Sequence, residues 1–104
     1  MKAHVQVDRE RIGEFCHRWK VVELALFGSV LRDDFRPDSD VDVLVTFAED
    51  AHWGLFDSGQ MESQLQAIFG RKVDLITRHS LTESPNYIRR NHILQHMEVV
   101  HVAG

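Results

Sequence analysis

Three aspartates interrupt stretches of this chain that otherwise read as core. Asp40 and Asp42 stand at the head of the apolar run "VDVLVTF" (Val41–Phe47), and Asp74 breaks "KVDLIT" (Lys72–Thr77). Aspartate is disfavoured in β-structure, so its presence there asks for a reason. Side chains alternate along a strand, which puts Asp40 and Asp42 on one side, about 6–7 Å apart. Val41, Val43 and Val45 then form the opposite, core-facing row, as Val73 and Leu75 do around Asp74. Neighbouring carboxylates repel one another unless a cation lies between them, and hard divalent ions such as Mg²⁺ take oxygen ligands. A third carboxylate allows two ions to be held. Two ions about 3.5–4 Å apart can clamp the attacking and leaving oxygens of a phosphoryl or nucleotidyl transfer. Asp40, Asp42 and Asp74 are therefore the candidate catalytic and metal-binding residues.

Gly28-Ser29 suits the same chemistry. It follows a second apolar run, "VVELALF" (Val21–Phe27). Glycine after a strand lets the backbone come close to a ligand, and a helix beginning at Ser29 would offer free N–H groups to an anion. A triphosphate would lay its tail on this turn and its α-phosphate over the metals. Arg32 and Lys72 are basic candidates for phosphate contacts that the sequence alone does not place.

The elements that must position these residues can be read from pattern. Ile12, Phe15, Cys16 and Trp19 recur at helical spacing behind Asp8, a good N-cap. Val21–Phe27 reads as a strand ended by glycine, "SVLRDDF" as a short helix from Ser29, "RPDSD" as a turn, and Val41–Phe47 as a second strand. Leu55, Met61, Leu65, Ile68 and Phe69 predict a helix closed by Gly70, and Lys72–Thr77 a third strand. Ser80 and Glu83 have capping-box spacing, Ser84-Pro85 gives a second start signal, and one helix is expected to run to about Met97. "EVVHV" (Glu98–Val102) closes as a fourth strand or an extended tail. Alternating helices and strands predict an α/β (α+β) domain, a small sheet backed by helices.

Composition narrows the partners. The chain has 104 residues, which predicts a single domain, 1–104, too small to carry a substrate lobe of its own. It is 43% hydrophobic and 27% charged, with a net charge of −4, so neither general nucleic-acid binding nor adhesion to an anionic membrane is expected. No run approaches the roughly 20 apolar residues of a membrane span. The N-terminal "MKAHVQVDRER" lacks a signal-peptide core, and a lone cysteine, Cys16, suits a reducing compartment. A cytoplasmic protein that meets phosphate through metal ions is the expectation. Self-association stays open.

The stretch "GSVLRDDFRPDSDVD" fits G-S-x10-D-x-D without a gap: Gly28, Ser29, ten residues, then Asp40, Val41 and Asp42. This resembles the signature of the DNA polymerase β-like nucleotidyltransferases. With Asp74 as third carboxylate, the chain is similar to the minimal nucleotidyltransferases (MNT, MntA-like) from its first helix to "EVVHV". The resemblance implies a palm-like mixed sheet, ATP as substrate, and Mg²⁺ on Asp40, Asp42 and Asp74. It implies as partner a HEPN protein, an all-helical ribonuclease toxin, which the MNT antitoxin silences by moving AMP onto a tyrosine. Gly28, Ser29, Asp40, Asp42 and Asp74 carry over directly; base preference and acceptor have no motif here.

Other readings compete for the same residues. A haloacid dehalogenase-type phosphatase also carries D-x-D, but after a strand rather than at its start. A D-x-D glycosyltransferase needs a much larger domain. His92 and His96 at i, i+4 have metal-pair spacing but no third ligand in step. Cys16 reads as core, Trp53 and Phe56 as packing, and Arg89-Arg90-Asn91-His92 as a solvated helix face. Among functions, an adenylyltransferase acting on a protein hydroxyl stands against a non-catalytic antitoxin of the same fold that neutralises by contact. A small-molecule nucleotidyltransferase, which would need an extra domain for its acceptor, is a third reading.

Overall fold

The structure, a computed structural model, describes residues 5, 7–32, 36 and 39–103. The helix expected first, α1, is Arg9–Trp19; the Asp8 carboxylate accepts from the Arg11 amide at 3.2 Å and so caps it. Ile12, Phe15, Cys16 and Trp19 are all buried. Lys20 ends the helix in the left-handed region, and β1 (Val21–Phe27) follows at once. A single 3-10 turn, Gly28–Leu31, takes the place of the helix expected from Ser29, starting one residue earlier. Within "RPDSD", Arg36 and Ser39 close the expected turn through the Ser39 amide and the Arg36 carbonyl at 3.0 Å. Residues 33–35, 37 and 38 lie outside the described residues.

β2 (Val41–Phe47) has the expected bounds, and α2 is Leu55–Phe69. The Asp57 carboxylate accepts from the Gly54 amide at 3.0 Å at its start, and Gly70 closes it at φ +71°. Met61, Leu65 and Phe69 are buried, but Leu55 is 93% exposed, contrary to its place in the expected apolar face. It opens the helix, before the first turn has reached the sheet. β3 is Val73–Thr77, one residue shorter than expected, and the Lys72 carbonyl just before it accepts from the Val41 amide at 2.9 Å.

The helix expected to run to about Met97 is two helices: of its two start signals, the Ser80–Glu83 capping box does not form, while Ser84-Pro85 stands just before the second helix. The Thr77 hydroxyl caps first, accepting from the Ser80 amide at 3.0 Å, so α3 is Arg78–Glu83. Pro85 disfavours a helical Ser84, and α3 ends there. Asn86 then caps α4 (Tyr87–His96), accepting from the Arg89 amide at 3.0 Å. Of the two endings left open for the chain, a strand forms: β4, Glu98–Val102.

The four strands order as β3-β2-β1-β4. β1 runs antiparallel to both β2 and β4, while β2 and β3 are parallel, a mixed sheet. One face packs Leu24, Leu26, Val41, Val43, Val45 and Val73 against α1 and α2. The other packs Ala25, Phe27 and Leu44 against Leu81 of α3 and Ile93 of α4. Each large side chain so buried contributes about 1.5–3 kcal/mol. Alternation puts Asp42 and Asp74 on this second face, with Leu44 and Ile76. The end of β1 and the starts of β2 and β3 lie together, so the glycine turn and the aspartates share one edge of the molecule.

Candidate active site

The site is assembled by register. Asp42 is directly paired with Asp74 across the parallel β2–β3 ladder, and with Phe27 across the antiparallel β1–β2 ladder. Neighbouring strands lie about 4.8 Å apart, so the paired carboxylates rise side by side from one face. Phe27 brings the glycine turn with it. Gly28 adopts φ +76°, a conformation that side chains with a Cβ resist. A Cβ on Gly28 would also collide with Oδ2 of Asp42. The glycine thus makes room for a carboxylate as well as a turn, a role that the sequence reading, which gave it only to ligand approach, missed. Ser29 sits half-buried beside it, its carbonyl accepting from the Arg32 amide at 3.0 Å.

The electrostatics follow from this crowding. The Asp42 carboxyl is pushed up from 3.8 to about 6, first by burial, then by the charges of Asp74 and Asp40, with Arg89 pulling the other way. Asp40 and Asp74 are exposed. Among the described residues, no three His, Cys, Asp or Glu side chains are gathered tightly enough to ligate an ion as they stand. Like charges hold apart. The donor set nevertheless fits a hard divalent cation. It is all oxygen, it is anionic, and at Asp42 it carries a charge that burial alone disfavours and a cation would stabilise.

Beside the aspartates lies a cavity of about 270 Å³ between the glycine turn and α4. Phe27, Gly28, Leu31, Arg32, His92, Ile93 and His96 line it. The run Arg89-Arg90-Asn91-His92 is therefore more than the solvated face expected of it. Arg89 acts on Asp42, His92 lines the cavity, and Arg90 donates to the Thr82 and Ser84 carbonyls at 3.1 and 3.4 Å, tying α4 to α3. The i, i+3, i+7 spacing of Arg89, His92 and His96 was the signal available in sequence. The His92 and His96 rings stack at 4.4 Å. Lys72 is exposed. Trp53 packs edge-on against Trp19 at 5.1 Å and donates to the Trp19 carbonyl at 3.0 Å, the packing role expected of it, whereas Phe56 is 79% exposed. Cys16 is core.

Comparison with known proteins agrees with this geometry. Residues 9–96 match the nucleotidyltransferase domain family. Protein adenylyltransferase MntA of Thermococcus cleftensis is 38% identical over 81 residues, covering 78% of this chain and 73% of that protein. A solved structure described as a candidate minimal nucleotidyltransferase is 31% identical, with a TM-score of 0.66, covering 86% of this chain and 85% of its own. A chain from the complex of a tri-AMPylated Shewanella oneidensis HEPN toxin with MNT antitoxin shares the fold at 15% identity and a TM-score of 0.62, covering 91% of this chain and 70% of its own. Among the described residues, no helix is long and apolar enough to cross a membrane. The chain belongs to the nucleotidyltransferase domain family and, within it, to the minimal nucleotidyltransferases of the MntA protein adenylyltransferase kind.

Proposed function

We propose that this chain moves AMP from ATP onto a hydroxyl of a partner protein, a tyrosine of a HEPN-type ribonuclease toxin, and so acts as its antitoxin. The observation that carries the reading is the side-by-side pairing of Asp42 with Asp74, backed by a glycine whose missing side chain leaves space for the Asp42 carboxylate. Asp40, Asp42 and Asp74 would hold Mg²⁺, two ions by the number of carboxylates. The ions would supply charge neutralisation for the α-phosphate and activation of the incoming oxygen. Gly28 and Ser29 take the phosphate tail through backbone amides and the serine hydroxyl. The acceptor must be held in line with the α-phosphate, and positioning supplies much of the rate in such transfers. In this reading a folded partner supplies that surface. The toxin in the Shewanella complex is AMPylated and bound to an MNT antitoxin, which supports the same pairing here.

The test incubates the purified chain with ATP, Mg²⁺ and a HEPN partner and reads the partner's intact mass. Addition of AMP units, lost when Asp40 and Asp42 are both replaced by asparagine, is the expected result. Inhibition of the partner by wild type and double variant alike, with no change in mass, would establish neutralisation by contact instead.

A further inference from the structure

At the other end of β2 from the aspartates lies a cleft of about 830 Å³ that the transfer chemistry does not use. Asp42 and Phe47 stand five residues apart on that strand, about 16 Å at the rise of β-structure. The cleft wraps around the strand end. Phe47 and Trp53 line it on the side of α1, Thr46, Arg78 and His79 on the side of α3, and His52 on the loop between β2 and α2. Its volume lies within the roughly 300–1,000 Å³ of small-molecule sites, which combine apolar and aromatic walls with a few placed polar groups.

Two features set the chemistry of an occupant. The first is a ring held in place. The Trp53 indole packs edge-on against Trp19 at 5.1 Å and donates to the Trp19 carbonyl at 3.0 Å, yet the residue stays 37% exposed. A fixed, part-exposed indole gives a planar ligand a surface to stack on, whichever base that ligand carries. The second feature is Arg78. Its Nη2 meets Glu23 at 3.1 Å, while its buried Nε has no acceptor among the described residues. A buried donor short of an acceptor favours a ligand that brings one. The guanidinium also stays charged at any working pH, and its planar fork matches phosphate oxygens. No carboxylate lines the cleft. Of the acidic residues nearby, Asp50 is engaged by Lys20 at 3.1 Å and Asp57 accepts from the Gly54 amide. Apolar walls with one permanent cation suit a single aromatic ring with a single anionic group, not a polyanion.

We propose that this cleft is a second nucleotide site, separate from the place of transfer, which takes a nucleoside monophosphate. The base lies against Trp53 and Phe47, and the phosphate meets Arg78. No bond is made or broken there. With no carboxylate in its lining, the cleft binds its ligand without a divalent ion. None of its residues belongs to the transfer site, so its occupancy does not depend on that chemistry.

The experiment titrates the ¹⁵N-labelled chain in EDTA, separately with AMP, adenosine and inorganic phosphate. Two tryptophans give two indole N–H resonances, assigned with Trp53→Phe. AMP should move the Trp53 indole resonance and leave the Gly28 amide in place. By calorimetry, AMP should bind about tenfold more tightly than adenosine or phosphate alone, the scale of a hydrogen bond to a charged group. Arg78→Lys, which keeps a charge opposite Glu23 but loses the fork, should weaken AMP binding about tenfold and leave adenosine unchanged. Trp53→Leu should weaken both. AMP that moves the Gly28 amide and not the Trp53 indole would lie at the transfer site and overturn the proposal. A Trp53 indole unmoved by AMP, phosphate that binds as tightly as AMP, or AMP affinity unchanged in both variants would overturn it too. Failure of the wild type to label a partner is a separate result against the transfer reading, since this titration needs neither metal nor acceptor.

Discussion

Replacing Asp42 by asparagine should make the metal-free protein more stable while abolishing transfer. The Asp42 carboxyl rises from 3.8 to about 6 on folding, through burial and the charges of Asp74 and Asp40. At about 1.4 kcal/mol for each step of one in pKa, that rise corresponds to at most about 3 kcal/mol of destabilisation once the group is ionised. Water reaches the half-buried site and screens the two exposed partners, so about half of that, roughly 1.5 kcal/mol, is the expected effect. For a domain of this size it amounts to about 6–12 °C in Tm. The sign follows from proton binding. Between about pH 4 and 6 the folded carboxyl holds its proton and the unfolded one does not, so wild-type stability falls as pH rises through that window. The asparagine that replaces it has no such proton. Thermal unfolding in EDTA should therefore show the variant ahead at pH 7.5 and the gap closing toward pH 4. Excess Mg²⁺ should raise the wild type and not the variant. A wild type at least as stable as the variant in EDTA at pH 7.5, or a gap that widens on acidification, would refute the account of a strained carboxylate cluster.

Gly28→Ala should cost about 1–3 kcal/mol in chemical denaturation, because it places a Cβ at φ +76° and against the Asp42 carboxylate; a variant as stable as wild type would show that the turn relaxes freely. Ser29→Ala should weaken the use of ATP by the roughly 1–3 kcal/mol of a hydrogen bond to a charged group, read as kcat/KM, with stability unchanged. The Cys16 thiol, buried at 1% exposure and pushed up to about 12, should resist Ellman's reagent in the native state and react on denaturation; rapid native labelling would contradict its place on the buried face of α1.

Much of this molecule was written in local pattern. The apolar runs that became β1 and β2 have the expected limits because glycine and aspartate end them, and α1 follows from a cap and four apolar residues at helical spacing. Asp42 shares a face with Leu44 because a strand alternates with period two, a fact of covalent geometry that no tertiary contact alters. Where local signals competed, only the fold chose between them. Ser80 does not cap, because Thr77, which β3 delivers already extended, accepts from the Ser80 amide, whereas the second start signal, Ser84-Pro85, stands just before α4 and parts it from α3.

Only the tertiary structure decided which residues meet. Nothing within Lys72–Thr77 specifies that Asp74 lies opposite Asp42 rather than two residues along; the parallel register does, and it is set by burying Val41 and Val73 together. Gly28 reads in sequence as a turn residue, and its second duty, leaving space for the Asp42 carboxylate, exists only once β1 and β2 are paired. The face that α4 turns toward the site was equally hidden, since its 3.6-residue repeat defines a stripe but not its neighbour. Burial of Ile93 and Leu94 against Phe27 and Leu44 orients the helix and so carries His92 and His96 to the glycine turn. Local periodicity is a property of one segment, whereas register and facing are properties of two segments, settled by the apolar surface that they bury together.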